Sequence, residues 1–228
     1  MGELILCSHP IAAMPYYIDN ISLNVYSLEE LCYYIENHLY LIEADFMSEE
    51  LCLWIGQELD EKDLAQSLRS VLLGNGSLSD FTELILRSCG YCSEDTIRHI
   101  RSVLLDMQNK SVFECSKIRA DRYMESEKYV KAIHEYRKLL GMEEECKKNP
   151  VLEGNIRHNL GTACAELFLF DEAAANFLNA YRLNQNRESL AACMAACRLA
   201  KKTDILKKYK EEFHVSDEAF KSMSDQWN

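Results

Sequence analysis

The chain is poor in residues that break helices. Three prolines and eight glycines are spread over 228 residues, too few for a fold of many short strands and tight turns. No apolar run approaches the ~18 residues that a membrane-spanning helix needs. The opening stretch, MGELILCSHP, carries Glu3 where an export signal carries positive charge, and its apolar part is short. Leu6 stands where a myristoylation signal has Ser or Thr. The patterns that cradle phosphates, bind dinucleotides, ligate a metalloprotease zinc or present a nucleophilic serine are all missing. Basic excess is missing too. Residues 1–110 hold 18 Asp+Glu against 6 Lys+Arg, and residues 111–228 hold 19 of each, so the whole net charge of −12 lies in the first half. An acidic half repels phosphate backbones, which argues against nucleic acid as its partner. The one basic run, KKTDILKKYK from Lys201, reads as a solvated helix face. We expect a cytoplasmic protein with no membrane contact, whose ten cysteines are reduced and mostly core residues.

What is present is helical. Hydrophobic residues make up 48% of the chain, enough for a sizeable core. Only the first 26 residues differ. ELILCS and YYIDNISLNVYS are rich in β-branched and aromatic residues, which predicts a small β-hairpin or extended segment. Ser27-Leu-Glu-Glu30 is a capping box. Behind it Leu28, Leu31, Cys32, Ile35 and Leu39 share one helical face. Further helix starts are expected at Ser48, Asp60, Ser77 or Ser79, and Ser93, with a turn at Gly74-Asn75-Gly76. Tyr33, Tyr34, Tyr40, Phe46 and Trp54 are expected to form the core of this half. Ser111-Val-Phe-Glu114 is a second capping box. It opens helices that run to Ser126 and from Lys128 to Leu140. A polar insert, EEECKKNP, separates these from helices over 152–167, 171–183, 188–201 and 203–212, with a last short helix from Ser216. The expected domains are therefore 1–110, an acidic, mainly helical region, and 111–228, a helical repeat region with capping helices.

A repeat of 41 residues supports the second boundary. RADRYMESEKYVKAIHEYRKLL from Arg119 aligns with LGTACAELFLFDEAAANFLNAY from Leu160. Ala120 matches Gly161, Tyr123 matches Cys164, Tyr129 matches Phe170, Ala132 matches Ala173, Tyr136 matches Phe177, and Leu139 matches Ala180. Small and large residues recur at the same offsets. With a seven-residue insert removed, the period is 34. The segment resembles the tetratricopeptide repeat, a 34-residue helix-turn-helix unit. The resemblance covers about residues 112–187 and reaches loosely to 213. It departs at Arg119, where the family has Leu, at Ser116 and Arg157, where it has a large apolar residue, and at Gln185, where it has Pro.

The resemblance implies an all-α fold in which antiparallel helix pairs stack as a right-handed solenoid with an extended concave face. It implies that Gly161 and Ala173 face each other where the two helices of a unit cross. It also implies that the first helix of each unit lines the partner-binding groove. That assigns Glu114, Lys117, Ile118, Asp121, Met124 and Glu125 in one unit, and Asn155, His158, Asn159, Thr162, Ala165 and Glu166 in the next. One subset of the family clamps a C-terminal carboxylate with Lys, Arg and Asn. Lys117 and Asn159 fit two of its places, but Asp121, Ser189 and Cys193 do not, so this clamp is not expected.

The sharpest candidate for chemistry is Cys89-Gly-Tyr-Cys92. A C-x-x-C pair can be a redox dithiol when a helix N-terminus lowers one thiol's pKa. Here the pair closes one helix, with Gly90 as a C-cap and Ser93 opening the next, so a structural turn is the simpler reading. Zinc would need two more ligands, and only His99 is near in sequence. Cys193 and Cys197 lie among alanines on a core face. The six histidines do not cluster in sequence. We therefore expect no catalytic residues, no cofactor and no metal. The favoured reading is a non-catalytic scaffold that binds a protein or peptide, with self-association through an open solenoid end. Two alternatives stand beside it. One is a regulator resembling peptide-sensing transcription factors, with 48–73 as its helix-turn-helix. The other is a thiol-redox protein using Cys89 and Cys92.

Overall fold

A computed structural model describes residues 9–216, 218 and 220. The chain divides into two compact units, Met1–Lys110 and Ser111–Asn228. Among the described residues it is helical apart from one hairpin. ELILCS lies outside the described residues, and the helix expected from Ser216 lies almost wholly outside them.

In the first unit, the hairpin is built from the second aromatic-rich segment. Strands β1 (Tyr16–Ile18) and β2 (Leu23–Val25) pair antiparallel with Tyr16 opposite Val25. Five helices follow: α1 (Leu28–Asn37), α2 (Glu49–Gln57), α3 (Lys62–Leu73), α4 (Leu78–Cys89) and α5 (Glu94–Asn109), with two single 3-10 turns between α1 and α2. The serine caps form where expected. Ser27, Ser48, Ser77 and Ser93 each accept from a backbone N–H in the first turn, which satisfies a donor the helix leaves unpaired. At Ser27 the box is modified: Glu30 Oε2 accepts from the Tyr26 N–H, at 2.6 Å. Asp60 does not open α3. It takes a left-handed φ of 57°, and the helix begins two residues later.

Leu28, Leu31, Cys32, Ile35 and Leu39 are all buried, and α1 packs on α4. Tyr34, Phe46 and Trp54 join the core, but Tyr33 is 53% exposed, because one step along α1 turns its ring away from the face that packs. Phe46 meets Phe81 edge-on, with centroids 6.5 Å apart. The Trp54 indole N–H donates to the Met14 carbonyl at 2.8 Å, which ties the segment before β1 to α2.

The second unit is a run of helices in which each packs on its neighbours: α6 (Val112–Glu125), α7 (Tyr129–Gly141), a short α8 (Glu143–Lys148), α9 (Pro150–Glu166), α10 (Phe170–Asn184), α11 (Arg187–Leu199) and α12 (Thr203–Glu212). The capping box at Ser111 and Glu114 closes in both directions. The polar insert is not a loop. Most of it forms α8, which buries Cys146 and presents Glu143 and Lys147 to water as an ion pair.

Three links in this unit are alike. Residues 126–128 join α6 to α7, 167–169 join α9 to α10, and 200–202 join α11 to α12. The middle residue is left-handed each time: Glu127 at φ 58°, Phe168 at 60° and Lys201 at 58°. The N–H of the next residue returns to a carbonyl five residues back, on Tyr123, Cys164 and Cys197, at 2.8–2.9 Å. This is the Schellman way of ending a helix, without its usual glycine. The α2–α3 link of the first unit is one residue longer. Asp60 is left-handed there, and the Glu61 N–H reaches back to Ile55 at 3.2 Å. A helical pair of similar build therefore lies in the half that the repeat alignment leaves unexplained.

Gly161 packs closely against α10 through Phe177. A Cβ built at Gly161 would lie 2.8 Å from Cδ1 and Cε1 of Phe177, so the missing side chain makes room for a ring from α10. Gly154, two turns earlier on α9, brings the same pair of helices close at its other end. A Cβ there would lie 2.9 Å from Asn184 Cβ. Both contacts lie on the α9 face that packs against α10.

Candidate functional site

Two places in the molecule gather functional side chains, one in each unit. The first holds the expected groove residues, and they fall into three groups. Lys117, Asp121 and Asn159 form a cross-braced seam. Lys117 pairs with Asp121 one turn along α6. The Tyr136 hydroxyl, on α7, donates to Asp121 Oδ1 at 2.7 Å. Asn159 Nδ2, on α9, lies 3.3 Å from that hydroxyl and 3.4 Å from Asp121 Oδ1. Tyr136 is fully buried. Burial, with the Asp121 carboxylate beside it, pushes its phenol pKa well above 10. These residues hold three helices together.

His158 and Thr162 form the second group. His158 Nδ1 lies 2.9 Å from the hydroxyl of the fully buried Ser189 on α11, and its ring sits 5.2 Å from that of Phe177. Burial lowers its pKa. The folded state thus refuses a proton that the unfolded chain accepts near pH 6.5. Stability should fall as pH drops through and below that value. His158→Gln, which keeps a hydrogen-bonding group, should show a shallower loss of melting midpoint between pH 7 and pH 5. Parallel curves for the two proteins would refute this. Thr162 donates to its own helix, at the His158 carbonyl, 3.2 Å.

The third group, Glu114, Met124, Glu125, Asn155 and Glu166, lies toward the surface. Glu114 is used in the capping box, Glu125 pairs with Arg122, and Asn155 Oδ1 accepts from Asn184 at 3.0 Å. The two positions where a carboxylate clamp needs basic side chains, Ser189 and Cys193, are fully buried.

Between α9 and α11 an open cleft of ≈ 220 Å³ is lined by Thr162, Ala165 and Glu166 on one side and by Ala192, Ala195 and Leu199 on the other. Phe177 and Phe170 line it as well, and so does Phe168, which is 79% exposed in its left-handed link. Thr162, Ala165 and Glu166 are among the residues expected from the resemblance. The α11 wall and Phe168 are not. The available signal is Phe168 itself, a large apolar residue at a turn.

The second place is in the first unit. Gly90 ends α4 in the left-handed conformation, φ 64°, as a C-cap should. Cys89 and Cys92 flank this turn as free, half-buried thiols. Cys89 adjoins Cys32 of α1, whose thiol donates to the Ile85 carbonyl at 3.8 Å. The contact between the two thiols holds Cys89 below and the more deeply buried Cys32 above the ordinary thiol range. The nearby Tyr91 N–H also favours the Cys89 thiolate. Burial pushes Cys92 up to about 11, which opposes its use as a thiolate nucleophile. His99, on α5, is exposed. The histidine that does reach Cys89 is His9. His9 Nδ1 lies 2.9 Å from Glu29 Oε1, and its backbone N–H donates to the same oxygen at 3.1 Å. Glu29 is 5% exposed. The hydrogen bond to Glu29 raises the His9 pKa. No family model, no curated protein and no solved structure matches this chain.

Proposed function

We propose that the unit Ser111–Asn228 is a tetratricopeptide-like, right-handed stack of helix pairs that acts as a non-catalytic scaffold in the cytoplasm, holding a peptide or helix of another protein. Three links of one build, at Glu127, Phe168 and Lys201, support the repeat. The observation that carries the binding role is the cleft between α9 and α11. It is apolar, open, and edged by an exposed phenylalanine. A bulky apolar side chain of the partner enters it, and Glu166 on α9 favours a neighbouring basic residue. Phe168 is placed for binding: its ring is 79% exposed at the edge of the cleft, in a left-handed link that costs an L-residue about 1–2 kcal/mol.

The test is selection of displayed peptides on the wild-type protein, followed by affinity measurement on two variants. Ala195→Trp fills the cleft. Phe168→Gly removes the edge and relieves the backbone. Selected peptides should carry a large apolar anchor and lose at least about tenfold in affinity, or 1.4 kcal/mol, on both variants. Phe168→Gly should melt no lower than wild type. Peptides that bind all three proteins equally would refute the cleft as the site.

A further inference from the structure

We propose that His9, Glu29, Cys32 and Cys89 form a binding site for a zinc ion in the first unit. This inference is independent of the scaffold reading, which concerns the other unit. One ring nitrogen of His9, one carboxylate oxygen of Glu29 and the Cys89 sulfur all lie within 4.8 Å of one another. The Cys32 thiol adjoins Cys89 directly. Ligand atoms around a tetrahedral zinc stand about 3–4 Å apart, so small side-chain movements close the set.

The donors suit that metal. Two sulfurs, one imidazole and one carboxylate make four ligands of the types zinc takes, and the sulfurs disfavour magnesium and calcium. The supporting contacts suit it as well. The left-handed Gly90 brings the Tyr91 N–H near Cys89, where it would stabilise a thiolate. Glu29 is nine-tenths buried in the first turn of α1, where a cation would offset the cost of keeping a carboxylate charged. Binding displaces the proton between His9 and Glu29, which passes to the other ring nitrogen or to solvent, and releases the two thiol protons to solvent. The four ligands come from the segment before β1, from α1 twice, and from the end of α4, so the ion ties three parts of the unit together.

The experiment uses the full chain, purified under reducing conditions without chelator. One zinc per chain is expected by elemental analysis. Cobalt in its place should give a sulfur-to-metal charge-transfer band and the intense visible bands of a tetrahedral ion. Adding zinc to the metal-free wild type should raise its melting midpoint. Those wild-type readouts stand even where a variant fails to fold. In competition with a chromophoric chelator, His9→Ala and Cys89→Ser should weaken binding by more than about 100-fold, the upper range for groups that only support a ligand. Cys92→Ser should leave binding unchanged. The site is refuted by substoichiometric zinc, by a cobalt spectrum without sulfur ligation, by loss through Cys92→Ser but not His9→Ala, or by a Cys32–Cys89 disulfide in protein that takes up no metal.

Discussion

Truncating Phe177 to alanine should lower the unfolding free energy by about 3–5 kcal/mol, a large share of the roughly 5–15 kcal/mol that holds a domain together. The ring is 3% exposed, lies against Gly161 and the His158 ring, and lines the cleft. Its loss leaves a cavity between α9 and α10 that the helices cannot close without moving. Gly161→Leu acts on the same contact from the other side. It forces a side chain into the ring and should cost about 1–3 kcal/mol, less the part that a better helix former returns. The two changes are not independent. With Phe177 already truncated, the introduced leucine side chain occupies the vacated space. The double variant should therefore be more stable than the sum of the single losses predicts, by about 1–3 kcal/mol. Denaturant melts of the four proteins measure this directly. Additive losses would mean that Gly161 and Phe177 do not share one space.

Tyr136→Phe should cost about 1.5 kcal/mol, the lower end for a hydrogen bond to a charged group, because Asp121 keeps access to water. The variant removes one oxygen and little volume. It leaves Asn159 with only its longer contact to Asp121, so the seam joining α6, α7 and α9 loses its central atom. A second readout separates this from a packing defect. The Tyr136 pKa is raised on folding. The stability that follows from the raised value is complete below pH 10 and is lost as the unfolded phenol ionises above it, at up to about 1.4 kcal/mol per pH unit. Wild type should therefore lose stability faster than Tyr136→Phe above pH 10, and the two curves should converge. A constant gap would place the hydroxyl outside the hydrogen-bonded seam. The seam also bears on any groove mutagenesis: Asn159→Ala is a structural change as much as a surface one, and Ala195→Trp probes the cleft more cleanly.

The features legible in the sequence are those set by local chemistry. Ser48, Ser77, Ser93 and Ser111 cap helices because a serine oxygen reaches a backbone N–H three residues on, and both partners are neighbours in the chain. The face carrying Leu28, Leu31 and Ile35 follows from helical spacing. Asp60 misleads because an acidic residue before a helix reads as a cap, whereas here it takes the left-handed turn that ends α2. The repeat marks Gly161 as a close approach, and the Phe177 ring takes up the room of its missing side chain; periodicity fixes a face and not which side chain fills the space beside it. The cleft has walls on α9 and α11 with a whole helix between them in sequence. Spacing joins Cys89 to Cys92 and His99, whereas its neighbours in space are Cys32 and His9 at the far end of the unit. No local pattern records such meetings.

The distribution of thiols has a practical consequence. Cys52 is buried in α2, Cys146 in α8, Cys164 in α9, and Cys193 and Cys197 in α11. A buried thiol reacts with an alkylating reagent only during the moments when its surroundings open, so under native conditions its modification rate measures the free energy of that opening. Most helical elements of the second unit thus carry or adjoin a natural reporter, read out by peptide mass with no label or substitution. The chain contains its own gauge of how cooperatively a row of nearest-neighbour helices comes apart.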